Sequence, residues 1–582
     1  MGPEITGALP WPVSGRSDAE VRARARRLAE RLRADPDLDV ADLGCSLAAG
    51  RPAVEHRAVV VGADRADLLA GLDALARGDD HSGLVRGTAG PGGGVAMMFA
   101  GAGGQWRGMG GGLWKDSPVF RDSVLACAEA FEPHVDWSLV DVVCGRRGAA
   151  SMNRADVVQP ALFTVMVSLA AVWRSFGVHP AAVVGHSQGE IAAAHVAGAL
   201  SLRDAARVVA LRSRIIAGTL AGHGAMLSVP QPVGQVRRRL AAWGDRLAVA
   251  AVNGPAITSV AGTPGAIEEL FAQLVDEGVR VARIVSDFAS HSAQVDAIRQ
   301  PLLDAVGDLR PRPTDVAFCS AVTGELLDST RLDAEYWFQN LRRPVEFDPA
   351  VRTLLGLGFT TFVEPSSHPL LTVPVEEIAR DVGAEVTSVG SLRMGESDAQ
   401  RMLTSLAEAQ VRGTPVDWRA AYAGRTRLDP PADGRAPVSH GPAPTAATTT
   451  GDDPFLRAVE RGDLAGALGV VLPALTWRHR RGEERTERPA DASGRPRHPV
   501  DTDAGRSQPR AEAPAARTVL DRPGPAADGP LLIKELDRVG DMLAAAAPHA
   551  DPGTRAQVTA RLQSLLACWS GRDAAPGGKG AG

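Results

Sequence analysis

The sequence predicts a mixed α/β fold. It has a large body built on a parallel sheet, an inserted βαββαβ subdomain, a small α/β unit in front and a largely disordered tail with terminal helices behind. Three observations carry this. Between Val95 and Leu211, short apolar runs alternate with segments of helical period, the pattern of a parallel sheet covered on both faces. From about residue 224 the order of elements changes to βαββαβ. Beyond Arg425 the chain is rich in Pro, Ala, Gly, Asp and Arg with few large apolar residues, the composition of linkers.

The chain has 582 residues, 45% of them hydrophobic, and a formal net charge of −5, so it can bury a large core in several domains. A near-neutral chain offers no broad basic face, and nucleic acid is not expected as a partner. Cys45, Cys127, Cys144, Cys319 and Cys568 are odd in number and lack C-x-x-C or metal-ligand spacing, which points to reduced thiols and no metal site. No stretch is read as a membrane span, and the N-terminus lacks a basic region followed by an apolar core. The expectation is a cytoplasmic protein without a membrane partner.

In chain order, Ser17-Asp18-Ala19-Glu20 is a capping box, and Val21, Ala25, Leu28 and Leu32 follow at helical spacing. Arg57–Gly62 reads as a strand, and Asp64 opens a helix through Leu68, Leu72 and Leu75 to Gly78. A glycine-rich hinge at Gly87–Gly94 closes a small domain over residues 1–92. Val95–Phe99 is an apolar strand running into Ala100-Gly101-Ala102-Gly103-Gly104-Gln105-Trp106, a loop whose amides are available to an oxyanion. It lacks the Lys-Ser/Thr of a phosphate loop. A long helix through Gln159, Leu162, Val165, Leu169 and Trp173 then leads to the strand before Ser187.

Val183-Val184-Gly185-His186-Ser187-Gln188-Gly189-Glu190 is the stretch that carries chemistry. Gly-x-Ser-x-Gly between a buried strand and a helix marks a sharp turn that lifts the serine oxygen from the backbone, as in an α/β-hydrolase-like large subdomain. Ser187 is therefore the candidate nucleophile, with the helix dipole beneath it. After an arginine-bearing helix at Leu202–Arg214, residues 224–287 spell β-α-β-β-α-β, a ferredoxin-like unit that exits through Phe288-Ala289-Ser290-His291. A cleft between large and small subdomains is the default ligand site, and His291 lies at its edge.

Five motifs occur together: Gly-His-Ser-Gln-Gly-Glu at 185–190, Ala-Leu-Arg-Ser-Arg at 210–214, Phe-Ala-Ser-His-Ser at 288–292, Tyr-Trp-Phe-Gln-Asn-Leu-Arg-Arg-Pro-Val at 336–345 and Phe-Val-Glu-Pro-Ser-Ser-His-Pro at 362–369. In this order they resemble the acyltransferase domain of modular type I polyketide synthases, with the fold and chemistry of malonyl-CoA:acyl-carrier-protein transacylase. The likeness extends over the first ninety residues as a ketosynthase-to-acyltransferase linker and fades after about Trp418. It implies an acyltransferase domain at 93–424.

The resemblance also implies roles. Ser187 would attack an acyl-CoA thioester and His291 would take its proton, with the acyl group then passing to a carrier's phosphopantetheine thiol. Asn340 matches the position whose backbone carbonyl orients the histidine. Arg212 matches the arginine that pairs with the carboxylate of a dicarboxylic extender. The oxyanion donors would be the amides of Gln188 and Ala102, and Gln105, Gln159, Phe288 and Ser290 would line the acyl site. No bound cofactor is implied beyond acyl-CoA as donor. The Phe99–Gln105 loop departs from the family form by losing a proline and a glutamine, hence some stiffness. Ser290 stands where the malonyl form has phenylalanine, so the expected extender is methylmalonyl.

Residues 425–530 read as mostly disordered linker enclosing a ketoreductase-like fragment at 453–480, which carries no catalytic Tyr-x-x-x-Lys. Residues 531–571 read as two amphipathic helices, open to a homodimer or docking role or to packing on the body. The expectation is a freestanding acyltransferase served by a carrier protein or synthase module in trans. An acyl-thioester hydrolase and a decayed, non-catalytic scaffold are the rivals.

Overall fold

The N-terminal unit is built on an antiparallel sheet in the order β1-β2-β3, where β1 is Leu9–Gly15, β2 His56–Gly62 and β3 Leu84–Thr88. The protein is described by a computed structural model, which covers residues 5–50, 54–90, 93–426 and 428. These residues all fall in the unit spanning Met1–Ser439. The ketoreductase-like fragment, the terminal helices and all of the tail beyond residue 428 lie outside the described residues.

Two of the three strands were not expected. Pro10 and Pro12 speak against a strand, yet β1 is an edge strand, where a missing N–H costs no ladder bond. β3 occupies the start of the stretch read as a hinge. Helices α1 (Asp18–Ala34), α2 (Val40–Ala48) and α3 (Arg65–Arg77) cover one face and bury Trp11, Leu28, Leu32, Val60, Leu68 and Leu72. Ser17 caps α1 by accepting from the Glu20 N–H, Asp64 caps α3, and Gly78 ends α3 with φ 88°.

The body is organised on a six-stranded sheet, parallel except for one edge strand. Its chain order begins with β4 (Val95–Phe99), α4 (Gly111–Asp116), α5 (Pro118–Phe131), α6 (Leu139–Val143) and α7 (Ala155–Ser175). It continues with β5 (Ala182–Gly185), α8 (Gly189–Val196) and α9 (Leu202–Thr219). Alternate residues of β4 face opposite cores. Met97 and Phe99 join one cluster with the helix residues Val165, Leu169 and Trp173, while Ala96 and Met98 join the other. α7 corrects one expectation from the sequence, because it is long and apolar enough to cross a membrane. It is instead a core helix, buried from Val157 to Ala170 in the body.

The insert consists of β6 (Ala225–Val229), α10 (Val233–Leu240), β7 (Leu247–Gly254), β8 (Ile257–Gly262), α11 (Pro264–Asp276) and β9 (Ala282–Ile284). Its antiparallel sheet has the order β7-β8-β6-β9 and its own core around Leu227, Val236, Val260 and Leu270. The chain then returns to the body through α12 (Arg299–Val306), β10 (Ala317–Ser320), β11 (Glu325–Leu326), α13 (Ala334–Arg342) and α14 (Phe347–Gly356). It closes with β12 (Thr361–Glu364), α15 (Thr372–Asp381), β13 (Thr387–Gly390) and α16 (Asp398–Val411). The sheet order is β11-β10-β5-β4-β12-β13, which sets β5 and its following turn at the centre. The end of the described chain folds back on the N-terminal unit. The Tyr422 hydroxyl donates to the Pro10 carbonyl at 2.5 Å, and the Thr426 N–H to Asp42 Oδ1 at 3.2 Å.

Candidate active site

The turn after β5 is tight because two glycines permit it. A Cβ on Gly185 would fall 2.2 Å from the Glu190 Cα, and one on Gly189 would fall 2.1 Å from the Phe99 carbonyl oxygen. Between them Ser187 adopts φ 54°. Among the described residues only one other non-glycine has positive φ, and it is His291, at 61°. Such strain is tolerated where surrounding contacts over-determine the backbone. Here the Glu190 N–H donates to the Ser187 carbonyl at 3.1 Å, the His186 N–H to the Phe99 carbonyl at 2.8 Å and the His291 N–H to the Leu341 carbonyl at 2.8 Å.

The structure brings Ser187 and His291 together, with Oγ 2.9 Å from Nε2. His291 Nδ1 lies 2.7 Å from the Arg343 carbonyl oxygen. A carbonyl only accepts, so Nδ1 carries the proton and Nε2 is free to accept from the serine hydroxyl. Burial pushes the imidazole down to about 3, with the positive charge of Arg212 adding to the shift and the Arg343 bond opposing it. The base is therefore neutral at working pH.

Asn340 was expected to supply the orienting carbonyl, and this is corrected: Arg343 does so, from just past the end of α13. Asn340 acts with its side chain instead. Its Nδ2 donates to the Ser187 carbonyl at 3.1 Å and to Glu190 Oε2 at 2.7 Å, and its Oδ1 accepts from Arg212 Nη1 at 2.6 Å. Arg212 is 1% exposed and its Nε has no hydrogen-bond partner. Glu190 is fully buried, and desolvation raises its carboxyl to about 7. The sequence reading overlooked Glu190 and Arg343. For Glu190 a signal existed, since a lone acid heading the run Ile191-Ala192-Ala193-Ala194 has to be buried and bonded.

The loop after β4 passes beside the nucleophile. A Cβ on Gly101 would stand 3.6 Å from the Ser187 Cβ, and Ala102 follows, exposed, in a turn. The stiffness expected to be lost there is supplied by other bonds. Gln105 Oε1 accepts from the Gly103 N–H at 2.7 Å, the Ser367 hydroxyl donates to the Gly104 carbonyl at 2.7 Å, and Trp106 Nε1 donates to the Ser367 carbonyl at 3.2 Å. Gln188 and Gln159 are buried, and Gln159 Oε1 and both amide atoms of Gln188 have no partner. Buried polar atoms of this kind await water or ligand.

On the insert side, His186 Nε2 lies 2.8 Å from Asn253 Oδ1 of β7, tying the turn to the small sheet. Ser290 is buried and its hydroxyl donates to Met226 Sδ at 3.5 Å, while Phe288 packs against the large core. Met226, on β6, is a partner of Ser290 that the sequence did not reveal. A cleft of about 330 Å³ opens on His291, lined also by Arg237, Leu240, Leu247, Val249 and Arg342.

A serine, a neutral imidazole and an amide-rich loop on an α/β body define an enzyme class, that of acyl transfer. The comparisons agree. The acyl transferase domain family matches residues 97–416, a CurL-like polyketide synthase C-terminal family matches 11–72, and the erythronolide synthase docking family matches 524–582. The chain belongs to the acyl transferase domain family, and its domain is of the modular polyketide synthase kind.

Similar proteins include the spectinabilin polyketide synthase system protein NorA of Streptomyces orinoci, 55% identical over 72% of this chain and 22% of that protein. Mycoketide-CoA synthase of Mycobacterium tuberculosis is 52% identical over 73% of this chain and 10% of that protein. The chain thus matches only a small part of the length of these relatives. Among solved structures, the acyltransferase domain from module 8 of the salinomycin polyketide synthase has 50% identity and a TM-score of 0.70 over 73% of this chain and 100% of that one. The acyltransferase domain of SpnD, in complex with 2-(pent-4-yn-1-yl)malonyl, has 28% identity and a TM-score of 0.63 over 72% and 98%.

Proposed function

We propose that this chain moves a dicarboxylic extender acyl group, methylmalonyl in preference to malonyl, from CoA through an ester on Ser187 to the phosphopantetheine thiol of a carrier protein. The observation that carries it is the 2.9 Å approach of Ser187 Oγ to a His291 Nε2 left free to accept. As Oγ attacks the thioester carbonyl, His291 takes the hydroxyl proton, and the amides of Gln188 and Ala102 meet the developing oxyanion. The imidazolium returns the proton to the departing CoA sulfur. The carrier thiol then gives its proton to His291 and attacks the acyl-serine, and Ser187 recovers the proton.

Arg212 is the group for the free carboxylate, buried and with its Nε unpartnered. The substituted malonyl group on the SpnD domain is of the same chemical class. The subdomain reading, a hydrolase-like body with a ferredoxin-like insert, puts the nucleophile on one and the histidine at the exit of the other. The carrier belongs to a synthase module in the cytoplasm, engaged through the docking segment at 524–582. The test is incubation with radiolabelled methylmalonyl-CoA. Label on serine that passes to added carrier protein is expected. Rapid loss of label to water would replace the transferase by a hydrolase, and no label at all would leave a scaffold.

A further inference from the structure

The buried charges beneath the nucleophile are arranged in an unusual way. Arg212 on α9 and Glu190 on α8 are both inside the body, yet the carboxylate reaches the guanidinium only through the Asn340 amide. Glu190 uses both oxygens: Oε1 accepts from the Ala321 N–H at 2.7 Å and Oε2 from Asn340 Nδ2 at 2.7 Å, and the Tyr336 hydroxyl also bonds the carboxylate. The same Nδ2 also donates to the Ser187 carbonyl, and Asn340 Oδ1 takes Arg212 Nη1. One amide therefore holds the arginine, the acid and the backbone of the nucleophile.

A direct bidentate Glu–Arg pair would satisfy the guanidinium and leave nothing for a ligand. With an amide interposed, the negative charge stays near enough to offset the buried arginine, while Nε remains unpartnered. We propose that Glu190 is a positioning residue for substrate selection: through Asn340 it fixes the Arg212 guanidinium with one amide between the two charges, so that the guanidinium stays open to the carboxylate of a dicarboxylic acyl group. This rests on the reading of Arg212 given above and adds to it the residue that keeps Arg212 available.

The test uses the full chain and two pairs of CoA esters, malonyl with acetyl and methylmalonyl with propionyl, reading kcat and KM of acyl-enzyme formation. In Glu190→Gln one acceptor oxygen must serve two N–H donors, so Asn340 is released and Arg212 loses its fixed partner. The dicarboxylic-to-monocarboxylic ratio of kcat/KM is expected to fall at least tenfold, with the change in the KM of the dicarboxylic esters. A second variant, Glu190→Gln with Asn340→Asp, keeps the net charge but moves the carboxylate onto Arg212; its ratio is expected to fall as far or further. Acylation by the monocarboxylic esters shows that each variant is folded, and Glu190→Asp replaces Glu190→Gln if the latter is not recovered, with a fall in the same direction.

A ratio within twofold of wild type in these variants, while Arg212→Ala lowers it, overturns the role of Glu190. A ratio unmoved by Arg212→Ala overturns the reading of Arg212 itself.

Discussion

Ser187 and His291 share a left-handed backbone that side chains rarely adopt, and their side chains meet at 2.9 Å. Ser187→Ala is expected to abolish acyl-enzyme formation, and His291→Ala to slow it by several orders of magnitude, since the two act as a unit; full labelling of Ser187→Ala would sink the mechanism. Because burial holds His291 down to about 3, acyl-enzyme formation should show no fall as pH drops through 6.5. A limb centred there that persists in Glu190→Gln, which removes the neighbouring carboxyl raised to about 7, would mean that the imidazole titrates as a free one. The same depression bears on stability: a histidine kept neutral contributes above pH 6.5, and that contribution drains away as pH falls towards 3. Arg212→Ala should cost dicarboxylic esters about 2–4 kcal/mol and monocarboxylic esters little. Equal losses would make Arg212 structural. The pairing of Ser187 with His291 was legible because each sits in a local motif, and a motif also marked Arg212, which the structure buries against Asn340. The Arg343 carbonyl was not, since a carbonyl acceptor is set by backbone path and leaves no mark in residue type.

At the scale of elements, the helices were legible from caps and periodicity, as with Ser17 on α1 and Asp64 on α3. The edge strand β1 was hidden by its two prolines, whose cost depends on which neighbour a strand has, and that is a tertiary fact. α4 shows a similar dependence at its start. Its Gly112 and Leu113 N–H groups donate to Asp398 Oδ2 from the beginning of α16, at 3.0 and 3.3 Å. Burial raises the Asp398 carboxyl to about 6. A raised acid contributes stability below its unfolded value of 3.8 and loses it as pH climbs through 6. An asparagine oxygen can accept both bonds without ionising. Asp398→Asn is therefore expected to gain on wild type between pH 4 and 8, by on the order of 2 kcal/mol in urea unfolding. A difference that stays constant with pH would mean that the carboxyl is not raised.

For the whole molecule, the returning segment at Trp418–Thr426 joins the two ends of the described chain. Tyr422 is buried against Gly44, where a Cβ would meet its hydroxyl at 2.4 Å. Tyr422→Ala is expected to lower the unfolding midpoint by several degrees through a loss of about 3 kcal/mol; an unchanged midpoint would show that the segment holds nothing together. In competition between equal malonyl-CoA and methylmalonyl-CoA, the proposed role of Ser290 in the acyl site predicts a preference for the methylmalonyl ester of about 1–3 kcal/mol, the worth of one methyl. A clear malonyl excess would refute that role of Ser290. The backbone strain has a consequence for how such a chain ages. Glycine relieves a left-handed residue at little cost, so Ser187→Gly should fold about 1 kcal/mol better than the parent while doing no chemistry, whereas at His291 the loss of a buried, hydrogen-bonded ring outweighs the same relief. Selection for robustness alone would then erase the nucleophile before its base, and a thermal screen of substitutions at Ser187 would enrich silent copies over working ones.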